Sequence, residues 1–389
     1  MTEYAKRVAI LWQSQDSVPY AIKAFDSLYA SVGHNTGNIA FYYAVRSHID
    51  GDIVVFPWHV PIDQIKAAAD IIVIPCANQL GAHTDLGNMA TRLTDMGLPI
   101  VAIGLGAQAA RYNVDIKLTD GTVRWAQIIE KSAISSKPNI ATRGSYTYGQ
   151  LEKLGITSMV SSGCPSLLIN PAGDLGRRIH QNWMSTDVPK CIAVAGGHQS
   201  QVMTREIEHQ LIALMMDPGG AGQYVVQSMA EMIKISRGIF DDIPPETMGQ
   251  LRAHTVPHYS FEEFKSWCRS YARSYFDVPA WMDSLRNYDL TVGPRYHGVA
   301  LALQAERMGL TITIDSRTRE LCENTGVPFI PADQCKFQLT RANLKKFLKF
   351  DPDQYDRMRL ARARDYVEFL ENNSLKPSKY LYAMSDAAA

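Results

Sequence analysis

Asp289-Leu290-Thr291-Val292-Gly293-Pro294-Arg295-Tyr296-His297-Gly298, followed by Val299-Ala300-Leu301-Ala302-Leu303, is the stretch that decides the fold. Asp289 to Val292 reads as a strand, broken by Gly293 and Pro294. The apolar run after it predicts a buried helix over Val299 to Met308, then a strand over Thr311 to Asp315. This is a strand–loop–helix–strand unit with an arginine and a histidine in its connection. Open α/β sheets bind ligands at the carboxyl ends of strands and against helix N-termini. There Arg295 is a permanent anion fork, and His297 is of the kind that titrates near neutrality. An anionic substrate and acid–base chemistry are the first expectation.

The same alternation extends outward from this unit. Arg7 to Trp12, Asp52 to Phe56, Asp70 to Ile74, Pro99 to Ile103 and Asn139 to Thr142 are apolar runs separated by helical segments. Runs of β-branched residues without polar alternation suit parallel strands covered on both faces. Pro171 to Pro189 shows little periodicity and marks a domain boundary, after which Cys191 to Ala195 restarts the pattern. A chain of 389 residues exceeds one average core. The expected architecture is α/β, with Rossmann-like domains over residues 1–175 and 188–335 whose parallel sheets face each other across a cleft. C-terminal helices over 340–375 are expected to pack back on the first domain, and the tail from Ser385 is expected to be disordered.

Composition narrows the partners. Lys plus Arg equals Asp plus Glu at 39 each, which argues against nucleic acid and requires any anion site to be a local cluster. The six cysteines are scattered without a C-x-x-C pair, as suits buried reduced thiols. His254 and His258 have metal-ligand spacing, but Pro257 breaks the helix this needs, so no metal is expected. Tyr4-Ala5-Lys6-Arg7 leads straight into a strand, and Leu98 to Ala110 is shorter than the roughly 20 residues that span a bilayer. A cytoplasmic protein is expected. Leu344 to Leu370 is helical and rich in Lys and Arg. It reads foremost as a solvated face with i,i+4 pairs, and second as a peripheral contact with the inner membrane surface.

Candidate ligand contacts lie at strand ends. Asn35, Gly37 and Asn38 precede a buried helix; Asn38 as an N-cap and a ligand contact both stay open. Asn78 and Gln79 follow one strand, and Gln108 follows the Gly104-Leu105-Gly106 turn of the next. That turn is no dinucleotide fingerprint, because Ala109 stands where the third glycine belongs. Arg143 ends a strand before Ser145, which can cap the next helix; Arg143 as ion-pair partner and as anion ligand both stay open. Ser166, His198, Gln199 and Arg317 complete the set with Gly293, Tyr296 and Gly298.

Asn35-x-Gly37-Asn38, Arg143 with Ser145, Gly163-Cys164-Pro165-Ser166 and Gly293-x-Arg295-x-His297-Gly298 together resemble the polysaccharide pyruvyl transferase family, over about residues 30 to 330. The last element is the most specific. The resemblance implies a GT-B-like fold with the site between its domains. It implies transfer of the pyruvyl group of phosphoenolpyruvate onto two hydroxyls of a sugar, giving a cyclic ketal and phosphate, with no cofactor beyond this co-substrate. The acceptor would belong to a bacterial exopolysaccharide, capsule or their lipid-linked or nucleotide-linked precursor. By this likeness Arg295 and Arg143 bind the donor and His297 is the general acid. Asn78 and Gln79 stand where many relatives look glycine-rich, which sets the acceptor side apart.

The chemistry agrees with these roles. A carboxylate and a phosphate need two cationic anchors, and Arg forks match both. Protonating the methylene carbon needs an acid tuned near working pH, which contributes about 10²–10⁴-fold. Beside Arg295 a protonated His297 is disfavoured, and a bound anion restores it. The competing reading is a nucleotide-sugar glycosyltransferase of the same architecture. A non-catalytic sugar-binding scaffold fits the Arg295–His297 pair less well.

Overall fold

A computed structural model describes residues 4–13, 20–109, 114–199, 204–335 and 339–387. Strands are numbered in chain order: β1 Arg7–Trp12, β2 Ile49–Asp50, β3 Asp52–Pro57, β4 Ile71–Pro75, β5 Ile100–Leu105, β6 Ile140–Thr142, β7 Met159–Ser161, β8 Ile192–Ala195, β9 Gly222–Val225, β10 Ala272–Arg273, β11 Leu290–Gly293, β12 Met308–Thr313, β13 Phe329–Pro331 and β14 Lys376–Pro377. They form two six-stranded sheets in the orders β3-β1-β4-β5-β6-β7 and β10-β9-β8-β11-β12-β13, with a ribbon of β14 and β2. Every pairing within the two large sheets is parallel. The apolar runs explain this: β4 and β5 are buried along their whole length between helix layers. β3 is mostly half-buried because it is an edge strand, so its apolar run is covered less fully than the sequence suggests.

Strand order reverses between β1 and β4 in the first sheet and between β8 and β11 in the second. These are the topological switch points, where the carboxyl ends of open sheets leave a crevice. The stretch from Gly293 to Gly298 follows β11 and therefore sits at the second switch point. Two Rossmann-like units facing each other across a cleft make this an α/β, GT-B-like fold.

Several elements differ from the sequence reading. The helix after β11 is Tyr296–Gln304, earlier than expected. It closes early because Glu306 adopts a φ of 64° and the Arg307 N–H returns to the Ala302 carbonyl, so β12 begins at Met308. The supposed boundary over Pro171 to Pro189 contains the helix Leu175–Ser185, which buries Leu175, Ile179 and Trp183 on one face. Pro244, Pro245 and Pro257 suggest an irregular stretch by sequence, yet Pro245 opens the helix Pro245–Thr255, since proline is accommodated in a first turn. The basic segment Ser316 to Leu321, which by sequence reads as a strand-end loop, is part of a helix to Thr325 capped by Asp315. The sequence predicts a helix over roughly Val202 to Met216; it runs over Arg205–Met216, and residues 202–203 lie outside the described residues.

The C-terminal helix Pro352–Asn372 returns to the first domain. The Asn373 side-chain amide donates to the Pro138 carbonyl at 2.8 Å, the Ala5 N–H donates to Ser374, and β14 pairs with β2. Its basic face is only partly solvated. Arg359 is fully buried and donates to the carbonyls of Asn170, at 2.6 Å, and Ala172, while Arg362 donates to Ser161 at 2.7 Å. A final helix, Lys379–Asp386, runs through Ser385, which corrects the expected disorder there; residues 388–389 lie outside the described residues. Among the described residues no helix is long and apolar enough to cross a membrane.

Candidate active site

Arg143 follows β6 and is held by backbone. Its Nε donates to the Gly104 carbonyl at 2.8 Å and its Nη2 to the Cys76 carbonyl at 3.1 Å, and the side chain is 2% exposed. Gly106 leaves room beneath it, where a Cβ would stand 2.9 Å from Arg143 Cδ. The guanidinium lies 5.4 Å from the Phe41 ring centroid. Among the described residues no carboxylate pairs with Arg143, so it is a carbonyl-anchored cation, not the member of an ion pair. Burial lowers its pKa first, and the neighbouring Arg317 lowers it further.

The β11 connection faces it from the second domain. Gly293 has a φ of +154°, and a Cβ there would lie 2.2 Å from the Ala195 carbonyl oxygen, so only glycine lets β11 end this close to β8. Arg295 is the N-cap residue of the helix and donates through Nη2 to Ser228 Oγ. Burial followed by the charge of Arg317 lowers its pKa to about 10, which leaves it cationic at neutral pH. His297 Nε2 lies 3.7 Å from Cys164 Sγ, and its ring lies 5.8 Å from that of Phe41. Its pKa falls well below the usual histidine range, through burial first and then Arg143, Arg317 and Arg295. A neutral imidazole thus stands amid three guanidinium groups drawn from both domains.

The first domain completes the wall. Asn35 Oδ1 accepts from the Gly37 N–H at 2.9 Å, and the Thr36 N–H donates to the Gln227 carbonyl at 2.8 Å across the cleft. Gly37 is glycine for a reason of space: a Cβ would meet Gln227 Oε1 at 2.7 Å and His297 Nδ1 at 3.4 Å. Asn38 does not cap the helix Asn38–His48. Gly37 occupies that place, and the Asn38 amide donates backward to the carbonyls of Val32 and Gly33 at 3.1 and 3.3 Å.

Ser145 is also displaced from its expected role. It is exposed and caps nothing, and Gly144 is the N-cap. The helix N-terminus is instead satisfied by Glu320 of the second domain, which accepts from Thr147 N at 2.7 Å and Thr147 Oγ1 at 2.8 Å. A carboxylate thus holds the helix N-terminus that Ser145 was expected to cap. Burial raises the pKa of Glu320.

The remaining candidates divide by placement. Arg317 lies in the first turn of the helix Ser316–Thr325, 3.5 Å from Asp315, and acts on His297, Arg295 and Arg143 through charge. The His198 pKa is lowered by burial and then by Arg295, which places it on the same side of the cleft. Gln199, next on the same loop, is buried beside Tyr224. Gly298 packs where a Cβ would be 2.8 Å from Gln227 Nε2. By contrast, the Tyr296 hydroxyl turns inward to Thr325 at 3.0 Å, and Ser166 is fully buried 3.1 Å from Cys164 Sγ. Asn78 donates to Gln108, and Gln79 Oε1 accepts from the Ala77 N–H at 2.6 Å, shaping the loop after β4.

Sequence reasoning passed over Gln227, Ser228 and Phe41, and it named Cys164 within a motif without a role. The first two follow β9, and their position at a strand end was the available signal. Beneath the His198 loop a buried Glu208 accepts from Gly197 N at 3.0 Å and from the Tyr224 hydroxyl at 2.6 Å, with His254 Nε2 at 3.2 Å. His254 therefore belongs to a core network, and among the described residues no group of three or more potential ligands could hold a metal ion.

No curated protein sequence matches the chain. Solved structures with a similar arrangement include the UDP-GlcNAc 2-epimerase of Methanocaldococcus jannaschii, at 11% identity and a TM-score of 0.42 over 92% of this chain and 99% of that one. The UDP-GlcNAc 2-epimerase of Neisseria meningitidis, bound to UDP-GlcNAc, gives 8% identity and 0.44 over 94% and 100%. S. aureus MnaA with UDP gives 10% and 0.45 over 96% and 99%. The family model for polysaccharide pyruvyl transferase matches residues 35–316, from Asn35 through the β11 connection to Ser316, and the chain belongs to that family.

Proposed function

We propose that the cleft transfers the pyruvyl group of phosphoenolpyruvate to a sugar of a bacterial exopolysaccharide or capsule, or to its lipid-linked or nucleotide-linked precursor. The observation that carries this reading is the neutral His297 amid Arg143, Arg317 and Arg295. Three cations surround one titratable ring and, among the described residues, Asp315 pairs with Arg317 alone, so a donor with both carboxylate and phosphate suits the two that remain, Arg143 and Arg295. Arg295 and Arg143 serve as the donor forks, and Arg317 adds charge from the helix Ser316–Thr325.

Once the donor neutralises this field, His297 takes up a proton and delivers it to the methylene carbon. The central carbon becomes oxocarbenium-like, and one sugar hydroxyl adds to it and loses its proton. The carbon–oxygen bond to phosphate then breaks, and a second hydroxyl closes the cyclic ketal. The protons balance: one hydroxyl proton replaces the one that His297 delivered to carbon, and the other leaves on the phosphate. No cofactor enters this sequence. In the cell the reaction is assigned to the cytoplasm, with peripheral contact at the inner membrane face where a lipid-linked acceptor would lie.

The test is incubation with phosphoenolpyruvate or nucleotide-sugars and a mixture of saccharide acceptors. The reading expects phosphate release matched by a pyruvylated sugar detected by mass spectrometry. Release of a nucleoside diphosphate with no phosphoenolpyruvate consumed would overturn it.

A further inference from the structure

A second crevice opens at the other switch point, between the ends of β1 and β4. It measures about 230 Å³ and is lined by Trp12, Gln13, Asn38, Trp58, Gln79 and Trp125 among others. Among the described residues none of the lining side chains is charged. This contrasts with the guanidinium cluster around His297. Aromatic walls with a few neutral amides suit a ligand with apolar faces and hydroxyl edges.

A further observation ties the crevice to the reaction site. Phe41 lines this crevice and also touches the reaction site, with its ring 5.8 Å from His297 and 5.4 Å from the Arg143 guanidinium. The two pockets thus share one wall. The volume lies below the roughly 300–1,000 Å³ of sites that enclose drug-sized ligands and fits a single sugar ring.

We propose that this crevice is the acceptor subsite, holding a neutral pyranose ring against Trp58 with Asn38 and Gln79 as hydrogen-bonding groups. The ring's reacting hydroxyls then pass Phe41 toward the carbon protonated by His297. The assignment rests on the pyruvyl-transfer reading for the identity of the reaction, and on this crevice alone for the binding of sugar. Asn78 holds Gln108 and Gln79 holds the Ala77 N–H, so the loop after β4 is shaped to present Gln79 to the crevice.

The experiment uses the full chain and a panel of methyl glycosides of glucose, galactose, mannose and N-acetylglucosamine. Binding is read by tryptophan fluorescence and saturation-transfer NMR, and phosphoenolpyruvate binding separately by calorimetry. We expect at least one glycoside to bind the wild type. Trp58→Ala and the cavity-filling Met89→Trp each weaken it about tenfold or more, near 1.4 kcal/mol. Trp58→Phe restores most of the affinity, and phosphoenolpyruvate affinity stays within twofold throughout. Sugar binding that responds to both variants while phosphoenolpyruvate fails to bind supports the subsite and removes the donor assignment. No glycoside bound, or glycoside affinity unchanged in both variants, overturns the subsite and leaves the donor assignment standing.

Discussion

Cys164 Sγ lies 3.7 Å from His297 Nε2 and 3.1 Å from Ser166 Oγ, so the proposed acid of the second domain leans on a buried thiol of the first. This contact steadies the ring without adding charge. Cys164→Ala removes one weak partner and frees the imidazole to turn. A lost hydrogen bond of this kind is worth roughly 1 kcal/mol. Phosphate release should slow about fivefold to tenfold in kcat, with donor affinity by calorimetry within about twofold.

Arg295 and His297 should separate binding from chemistry. Arg295→Ala is expected to abolish measurable phosphoenolpyruvate binding, because the fork and its hold on Ser228 disappear together. His297→Ala should bind the donor at least as well, since a group crowded by cations is removed, yet lose about 10²–10⁴-fold in phosphate release. Near-normal turnover in the His297 variant would remove it from the role of acid.

Gly293→Ala tests the register of the switch point. The new Cβ meets the Ala195 carbonyl at 2.2 Å on a backbone with φ of +154°, so β11 and β8 must separate. A loss of about 2 kcal/mol or more is expected in urea unfolding, as for strain at a glycine-only position. Donor binding should weaken with it, because Arg295 lies two residues on.

Stability should depend on pH through His48. Burial lowers its pKa to about 4, and its Nε2 lies 3.0 Å from the Leu168 carbonyl. The unfolded chain binds a proton near pH 6.5 and the folded chain does not, so this contribution is present above about pH 6.5 and is lost as pH falls toward 4. The wild type should lose up to about 1.4 kcal/mol per pH unit in that window from this residue. His48→Gln should flatten the unfolding curve there and leave it unchanged above pH 7.

The sequence carried the fold and half of the site. Parallel strands were legible because apolar β-branched runs admit few other structures, and Gly293 to His297 was legible because charge stood at a strand end. Two helices were missed where local signals mislead: Pro245 is harmless in a first turn, and Leu175, Ile179 and Trp183 are sparse among polar residues. Glu320 at the helix of Thr147 and the buried Arg359 are partnerships across long sequence separations, which no local pattern records. Gln227 carries no charge, so its strand-end position was a weak signal, and the meeting of Gly37 and Gly298 around its amide reveals it. Asn38 and Ser145 failed as caps because neighbouring backbone and a distant carboxylate took those positions first.

The central claim is that the donor charges His297. The measurement is an NMR titration of its ¹⁵N-labelled imidazole, assigned with His297→Gln, in the presence and absence of phosphoenolpyruvate. The free protein should show a pKa well below 6.5, set by burial and then by Arg143, Arg317 and Arg295. Bound phosphoenolpyruvate should raise it toward neutrality, while the His48 resonance stays in place. A His297 pKa unmoved at saturating donor would contradict the account.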